Sequence, residues 1–185
     1  MFSLEEQKEL IRVARESVWA RVTGQPETSL GKVASTGITT PRLQQCSGAF
    51  VTLYKNGELR GCLGYVESPR SLKETVAETG WKVAADDFRF YPVDEDELSD
   101  LRVEISALSP LHKIRDVEEI QVGEHGIVIE AGAHRGLLLP QVAVKYHWNR
   151  LQFLEEACVK AGVSRDAWKK PTTHIFIFSA EVIEE

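Results

Sequence analysis

Gly48-Ala-Phe-Val-Thr-Leu-Tyr-Lys-Asn-Gly-Glu-Leu-Arg-Gly-Cys-Leu-Gly-Tyr65 decides how the rest of the chain is read. Two apolar runs flank Asn56-Gly57, and a two-residue type I′ turn needs positive φ at both central positions, which Asn and Gly tolerate best. The stretch is therefore expected to be a β-hairpin. With Asn56 and Gly57 as the loop, an unbroken ladder sets Lys55 opposite Glu58, Leu53 opposite Arg60 and Val51 opposite Cys62. One face then carries Phe50, Thr52, Tyr54, Leu59, Gly61 and Leu63, and the other Ala49, Val51, Leu53, Arg60, Cys62 and Gly64. A thiol and a guanidinium share a face on this reading. Gly61 and Gly64 interrupt the strand, which suggests a bulge or the close approach of a second backbone or a ligand, and makes both candidate binding positions. Free cysteine usually packs as a small hydrophobe, whereas a nearby cation favours the nucleophilic thiolate, so Cys62 has a structural and a reactive reading.

Leu59-Arg-Gly-Cys-Leu-Gly64 resembles the Leu-Arg-Gly-Cys-Ile-Gly signature of the AmmeMemoRadiSam system protein A family, with Leu63 in the Ile position. Further matches follow in order: Asp86-Asp-Phe-Arg-Phe90 where the family tends to have Asp-Pro-Arg-Phe, Glu104 to Pro110, His125-Gly126, Gly136 to Ala143, and Trp148 to Gly162. The resemblance covers nearly the whole chain and is weakest before Ser47. It implies two lobes with a cleft between them and identifies a family rather than an activity. It also implies two partners in a shared modification pathway, a radical S-adenosylmethionine (radical SAM) enzyme and a Memo-type protein. This chain lacks the Cys-x-x-x-Cys-x-x-Cys run that holds a radical cluster, so that chemistry belongs to the partner.

The chain has 185 residues, enough for one domain with a sizeable core or two closely packed lobes. Its formal charge of −6 argues against broad nucleic-acid binding, which draws on clustered Lys and Arg. No apolar stretch approaches the roughly 20 residues that span a bilayer. The acidic start Met-Phe-Ser-Leu-Glu-Glu-Gln-Lys lacks the form of a secretory signal, so a cytoplasmic location is expected. Cys46, Cys62 and Cys158 are too few and scattered for a disulfide framework, and His112, His125, His134, His147 and His174 lack ligand spacing, so no metal site is expected. Dinucleotide, phosphate-loop and nucleophile-elbow motifs are missing, and the sequence names no cofactor.

Ser3 with Glu6 and Ser71 with Glu74 read as capping boxes, predicting helices over about 4–22 and 71–85. Residues 25–47 lack periodicity and read as a draped connection with a short helical turn. Phe88-Arg89-Phe90-Tyr91 reads as a loop whose rings plug the lobe junction and whose arginine pairs with an aspartate, with a binding role for Arg89 as the alternative. Asp94-Glu-Asp-Glu97 reads as a solvated helix start. Leu101 to Leu108 alternates as a strand with Val103, Ile105 and Ala107 on one face and Glu104 and Ser106 on the other. Glu104 is the foremost carboxylate partner for an arginine and, near Cys62, a base. A second hairpin spans 126–139, led by His125, and Gln141 follows Pro140, where a side-chain amide can position a carbonyl ligand. Leu151, Leu154, Ala157, Cys158 and Ala161 share a helical face, placing Cys158 in the core, and 174–183 is a final strand.

The expected fold is α+β, a mostly antiparallel sheet flanked by helices with a smaller β-rich lobe. The larger lobe takes about 1–110 with the C-terminal helix and strand, and the smaller about 111–145. Two function classes follow. In a thiol-dependent enzyme of small-molecule or protein modification, Cys62 is the nucleophile, Arg60 activates it or binds an anion, and His125 or Glu104 moves the proton. In an accessory module, the hairpin presents a surface to a partner and Cys62 only packs.

Overall fold

A computed structural model describes residues 1–185 as seven strands and five helices, an α+β fold with antiparallel ladders. Contacts divide the chain into two units, Met1–Leu108 with Glu181–Glu185, and Ser109–Ala180. No helix is long and apolar enough to cross a membrane.

In the first unit, the Ser3 hydroxyl accepts from the Glu6 amide and the Glu6 carboxylate accepts from the Ser3 amide, which starts helix α1 (Leu4–Val22). The connection after it holds a 3₁₀ turn at Glu27–Ser29 and the short helix α2 (Leu30–Ser35). Asn56 and Gly57 take φ of 53° and 81°, as the turn between β1 (Ala49–Lys55) and β2 (Glu58–Tyr65) requires. Ser71 and Glu74 cap α3 (Leu72–Val83) as Ser3 and Glu6 cap α1. Strand β3 (Leu101–Leu108) pairs with β1 on the side away from β2.

Leu10, Val13 and Val18 of α1 and Leu72, Val76 and Val83 of α3 pack with Val51, Leu53, Val103 and Ile105. Each such side chain contributes about 1.5–3 kcal/mol on burial. Lys73 is wholly buried in this layer, and its ammonium donates to the carbonyls of Thr36 (2.8 Å) and Ile38 (2.9 Å) and pairs with Glu9 at 2.7 Å. That pairing ties the draped connection to the helices.

Register departs from the expected ladder. Lys55 faces Glu58 and Tyr54 faces Leu59, but Leu53 then faces Gly61, Thr52 faces Cys62 and Val51 faces Leu63. Arg60 is the extra residue of a β-bulge. The bulge turns Gly61 toward the end of α3, where a Cβ would lie 3.1 Å from Val83 Cγ2 and 3.2 Å from the Val83 carbonyl oxygen. It also moves Cys62 onto the face with Thr52 rather than with Val51 and Leu53. The expected common face for Arg60 and Cys62 is thereby corrected, because one inserted residue reverses side-chain parity along the rest of the strand.

The second unit holds β4 (His112–Lys113), β5 (His125–Ala131), β6 (His134–Leu138), α4 (Pro140–Lys145), α5 (Arg150–Lys160) and most of β7 (Thr173–Glu184). Strand β5 lies between β6 and β7, and β4 pairs with β7. Gly132, at φ 62°, makes the hairpin turn. An Asn149 and Gln152 capping box opens α5, whose Phe153, Leu154, Ala157 and Cys158 pack with Ile127, Ile129, Ile175 and Ile177. The C-terminal helix and most of the last strand thus fall with the second unit instead of the first, since the apolar stripe of α5 finds its partners on β5 and β7. Leu151, expected on that stripe, is exposed.

Candidate functional site

Strand β1 is central to the first sheet, so each of its residues has a partner on either side. Thr52 faces Cys62 on β2 and Glu104 on β3, and residues directly opposite share a face. Glu104, Thr52 and Cys62 therefore form a row across three strands, on the face turned away from α1 and α3. The Thr52 hydroxyl donates to Cys62 Sγ at 3.3 Å. Cys62 is half-buried and Thr52 buried, and the sulfur has a polar companion in that hydroxyl.

Glu104 is half-buried and makes neither a hydrogen bond nor an ion pair. Burial, and secondarily the charge of Glu184, push its carboxyl above the usual range. Tyr54 stands one step along the same face, its phenol pushed up by burial and then by the charges of Glu104, Cys62 and Glu184. A pocket of about 180 Å³ opens beside this row, lined in part by Tyr54, Arg102, Glu104 and Glu184. Arginine does not meet Glu104, contrary to expectation.

The two arginines near the thiol have different employments. Arg60 donates from Nε (3.1 Å) and Nη2 (2.8 Å) to the Glu97 carboxylate, from Nη1 to the Tyr91 carbonyl (3.0 Å) and from Nη2 to the Pro92 carbonyl (3.2 Å). Each of its three nitrogens donates, and Glu97, which also takes Lys55, is held down to about 2 chiefly by the Arg60 hydrogen bonds. Glu97 is thus an internal partner and not part of a solvated run.

Asp87 is 3% exposed and accepts the Cys62 amide at 2.9 Å while receiving Arg89 Nε at 2.9 Å and Nη2 at 2.7 Å. These bonds, Arg89 above all, hold its carboxyl far below the usual range. Arg89 Nη2 also donates to the Cys62 carbonyl at 3.1 Å. The arginine does pair with an aspartate, as expected, but Phe88 and Tyr91 are 95% and 91% exposed instead of plugging a junction. Asp87 takes the inward position of this turn, which leaves its neighbours facing solvent.

Gly64 lies against β1, where a Cβ would come 2.3 Å from the Ala49 carbonyl oxygen. The space beside both Gly61 and Gly64 is filled by the protein itself, so their want of a side chain serves close packing. His125 begins β5 in the second unit, and its Nδ1 accepts the Gln121 amide at 3.2 Å. Gln141 is an exposed residue in the first turn of α4. A roomier cavity of about 370 Å³ in the first unit is lined chiefly by apolar groups, including Val18, Trp19, Leu98 and Leu101, and contains no member of the thiol row.

Sequence reasoning missed Thr52, Asp87 and Glu97. Thr52 was findable: counting one residue out at the glycine-marked bulge sets it opposite Cys62. Asp87 precedes Arg89 by two positions, a spacing that allows a local fork, but its bond to the Cys62 amide is tertiary and leaves no trace in the chain.

A model of the AMMECR1 family matches residues 11–183. The chain belongs to the AMMECR1 family. Every residue of the thiol row and of the Asp87 and Arg89 pair lies within the matched region. A relative from Methanopyrus kandleri is 38% identical over 192 residues, covering 99% of this chain and 90% of its own. Another from Aquifex aeolicus is 34% identical over 185 residues, covering 96% and 92%. The crystal structure of an uncharacterized protein from Pyrococcus horikoshii is similar with a TM-score of 0.77 and 35% identity, covering 96% of this chain and 91% of that one.

Proposed function

We propose that this AMMECR1-family protein is a thiol-dependent group-transfer enzyme with Cys62 as nucleophile. The observation that carries the reading is Cys62 Sγ, the sulfur of a half-buried residue, hydrogen-bonded by the Thr52 hydroxyl in the same cross-strand row as an unpaired Glu104. A hydroxyl donating to sulfur stabilises the thiolate more than the thiol, because a bond to a charged acceptor is about twice as strong as a neutral one. Glu104, with its raised affinity for a proton, stands two strand spacings from Cys62 with Thr52 between them. It serves as base and then acid through an intervening water rather than by direct contact. Sγ bonds to an acyl carbon, the leaving group departs with the bonding pair, and the thiol proton passes by way of Glu104 to that leaving group. The products are a thioester on Cys62 and the protonated leaving group. Arg60 has no part in this step, since each of its three nitrogens already donates within the protein.

Site-resolved alkylation with iodoacetamide tests this. Cys62 reacts faster than Cys46 although Cys46 is the more exposed, and Cys158 stays unlabelled because burial pushes its thiol up. Labelling of Cys62 no faster than Cys46 in the folded protein removes the enzyme reading.

The nearly complete exposure of Phe88 and Tyr91 favours a second reading. Exposed aromatic rings on a loop held in place are efficient anchors for a partner protein. In this role the protein is an accessory to the radical SAM enzyme and the Memo-type protein of its system. Replacing Phe88 and Tyr91 with serine then abolishes co-purification with either one, and retained binding by that variant contradicts this reading.

A further inference from the structure

We infer that Arg89 is a recognition residue for a carboxylate, and that the substrate of the Cys62 site is an acyl compound carrying a single negative charge. The inference rests on the thiol reading and adds the class of molecule that the thiol meets.

The argument begins with donor accounting. A guanidinium has five N–H groups. In Arg89, Nε is taken by Asp87, and Nη2 by Asp87 and the Cys62 carbonyl, while Nη1 makes no hydrogen bond. Arg60 offers less, since Nε and Nη2 are fully engaged and Nη1 keeps a single N–H after donating to the Tyr91 carbonyl. Lys55 is committed to Glu97. Arg89 therefore has unspent donors at the residue that carries the thiol, and its side chain is 46% exposed.

Its direction is fixed as well. Asp87 is buried, receives the guanidinium edge-on through two donors, and is itself anchored by the Cys62 amide. An arginine held in this way presents its free nitrogen without first losing side-chain freedom. Asp87 also sets the charge of the ligand. Its carboxylate already balances the one positive charge, so no anion meets a net attractive charge here. A monoanion, which has less hydration to give up than a dianion, is held by the two free N–H groups of Nη1 as hydrogen-bond donors. Phe90, whose ring centre lies 5.5 Å from Arg89 Cζ, supplies apolar surface beside the guanidinium for the hydrocarbon part of such a molecule.

The test compares two alkylating reagents of nearly equal size, neutral iodoacetamide and anionic iodoacetate. In each reaction the thiolate forms an S–C bond and iodide leaves with the electron pair. Rates are read at Cys62 and Cys46 in the same sample, so that Cys46 corrects for reagent chemistry. The iodoacetate-to-iodoacetamide ratio at Cys62 exceeds that at Cys46 by about fivefold or more, and Arg89→Gln brings that ratio down to the Cys46 value. Arg89→Lys, which keeps the charge without the fork, gives an intermediate ratio. Equal ratios at the two cysteines, or a ratio indifferent to Arg89→Gln, overturn the inference while leaving the thiol reading intact.

Should Cys62 react with neither reagent, the thiol reading fails and anion binding is judged alone. Titration of a Cys62→Ser variant with sodium acetate, followed by the Arg89 Nε–H resonance, then decides. A saturable shift supports the carboxylate site and no shift overturns it. Tighter binding of inorganic phosphate than of acetate overturns the single-charge assignment.

Discussion

The two hairpins of this protein are built from similar parts and do different things. The hairpin of β5 and β6 runs in unbroken register from Ile127 opposite Leu138 to Ala131 opposite His134. Its Ile127 and Ile129 are buried in the second core, and Gly136 is so close to α5 that a Cβ would lie 2.2 Å from the Ala161 amide nitrogen. The hairpin of β1 and β2 has one residue too many. Arg60 is that residue, and beyond it the thiol stands on the polar face of the sheet instead of among aliphatic side chains. An uninterrupted ladder closes a core, and a single insertion in the same kind of element sets a thiol opposite a hydroxyl on the other face of the sheet.

The largest effect expected from probing this contrast is in the regular hairpin's support. Phe153→Ala empties a wholly buried site under β5 and costs about 3–5 kcal/mol, measured by denaturant unfolding. While the variant remains folded, its Cys62 alkylation rate matches wild type. Next in size is the bulge itself. Arg60→Met leaves Glu97, 15% exposed, with only Lys55 as a charged partner and lowers stability by about 2 kcal/mol at neutral pH. Its pH signature is more specific. Because the folded-state value of Glu97 is depressed to about 2 from 4.5, its contribution is complete above pH 4.5 and is lost as pH falls toward 2. Arg60→Met flattens that part of the stability profile.

Much of this architecture is visible in the sequence. Ser3 with Glu6 and Ser71 with Glu74 fix helix starts locally, and Asn56-Gly57 fixes a turn, because each depends on atoms a few residues apart. The glycines hinted at the bulge, but which residue would be extruded depends on Val83 approaching Gly61 and on Glu97 receiving Arg60. These are tertiary facts. For the same reason the pairing of Cys62 with Thr52, and the anchoring of its amide by Asp87, were not legible. Composition and spacing identify residues capable of chemistry, while the facing partner across a strand is decided by register.

Smaller effects sharpen the comparison on the polar face. Glu104→Gln removes a carboxylate whose ionisation is opposed by burial. Such a group weakens the fold as pH rises above 4.5, so the substitution leaves stability unchanged or raises it slightly at neutral pH. Turnover is expected to fall all the same, and an equal loss of stability and activity would argue for a structural role instead.

The central claim is that the bulge gives Cys62 a hydroxyl partner that makes its sulfur reactive. Thr52→Val removes that hydroxyl at constant shape and changes stability by about 1 kcal/mol. The deciding measurement is the second-order rate of Cys62 with iodoacetamide at pH 7 in wild type and Thr52→Val, with Cys46 as internal reference. The rate at Cys62 should drop about tenfold with Cys46 unchanged, the loss of one charge-assisted bond. An unchanged rate at Cys62 would contradict the account.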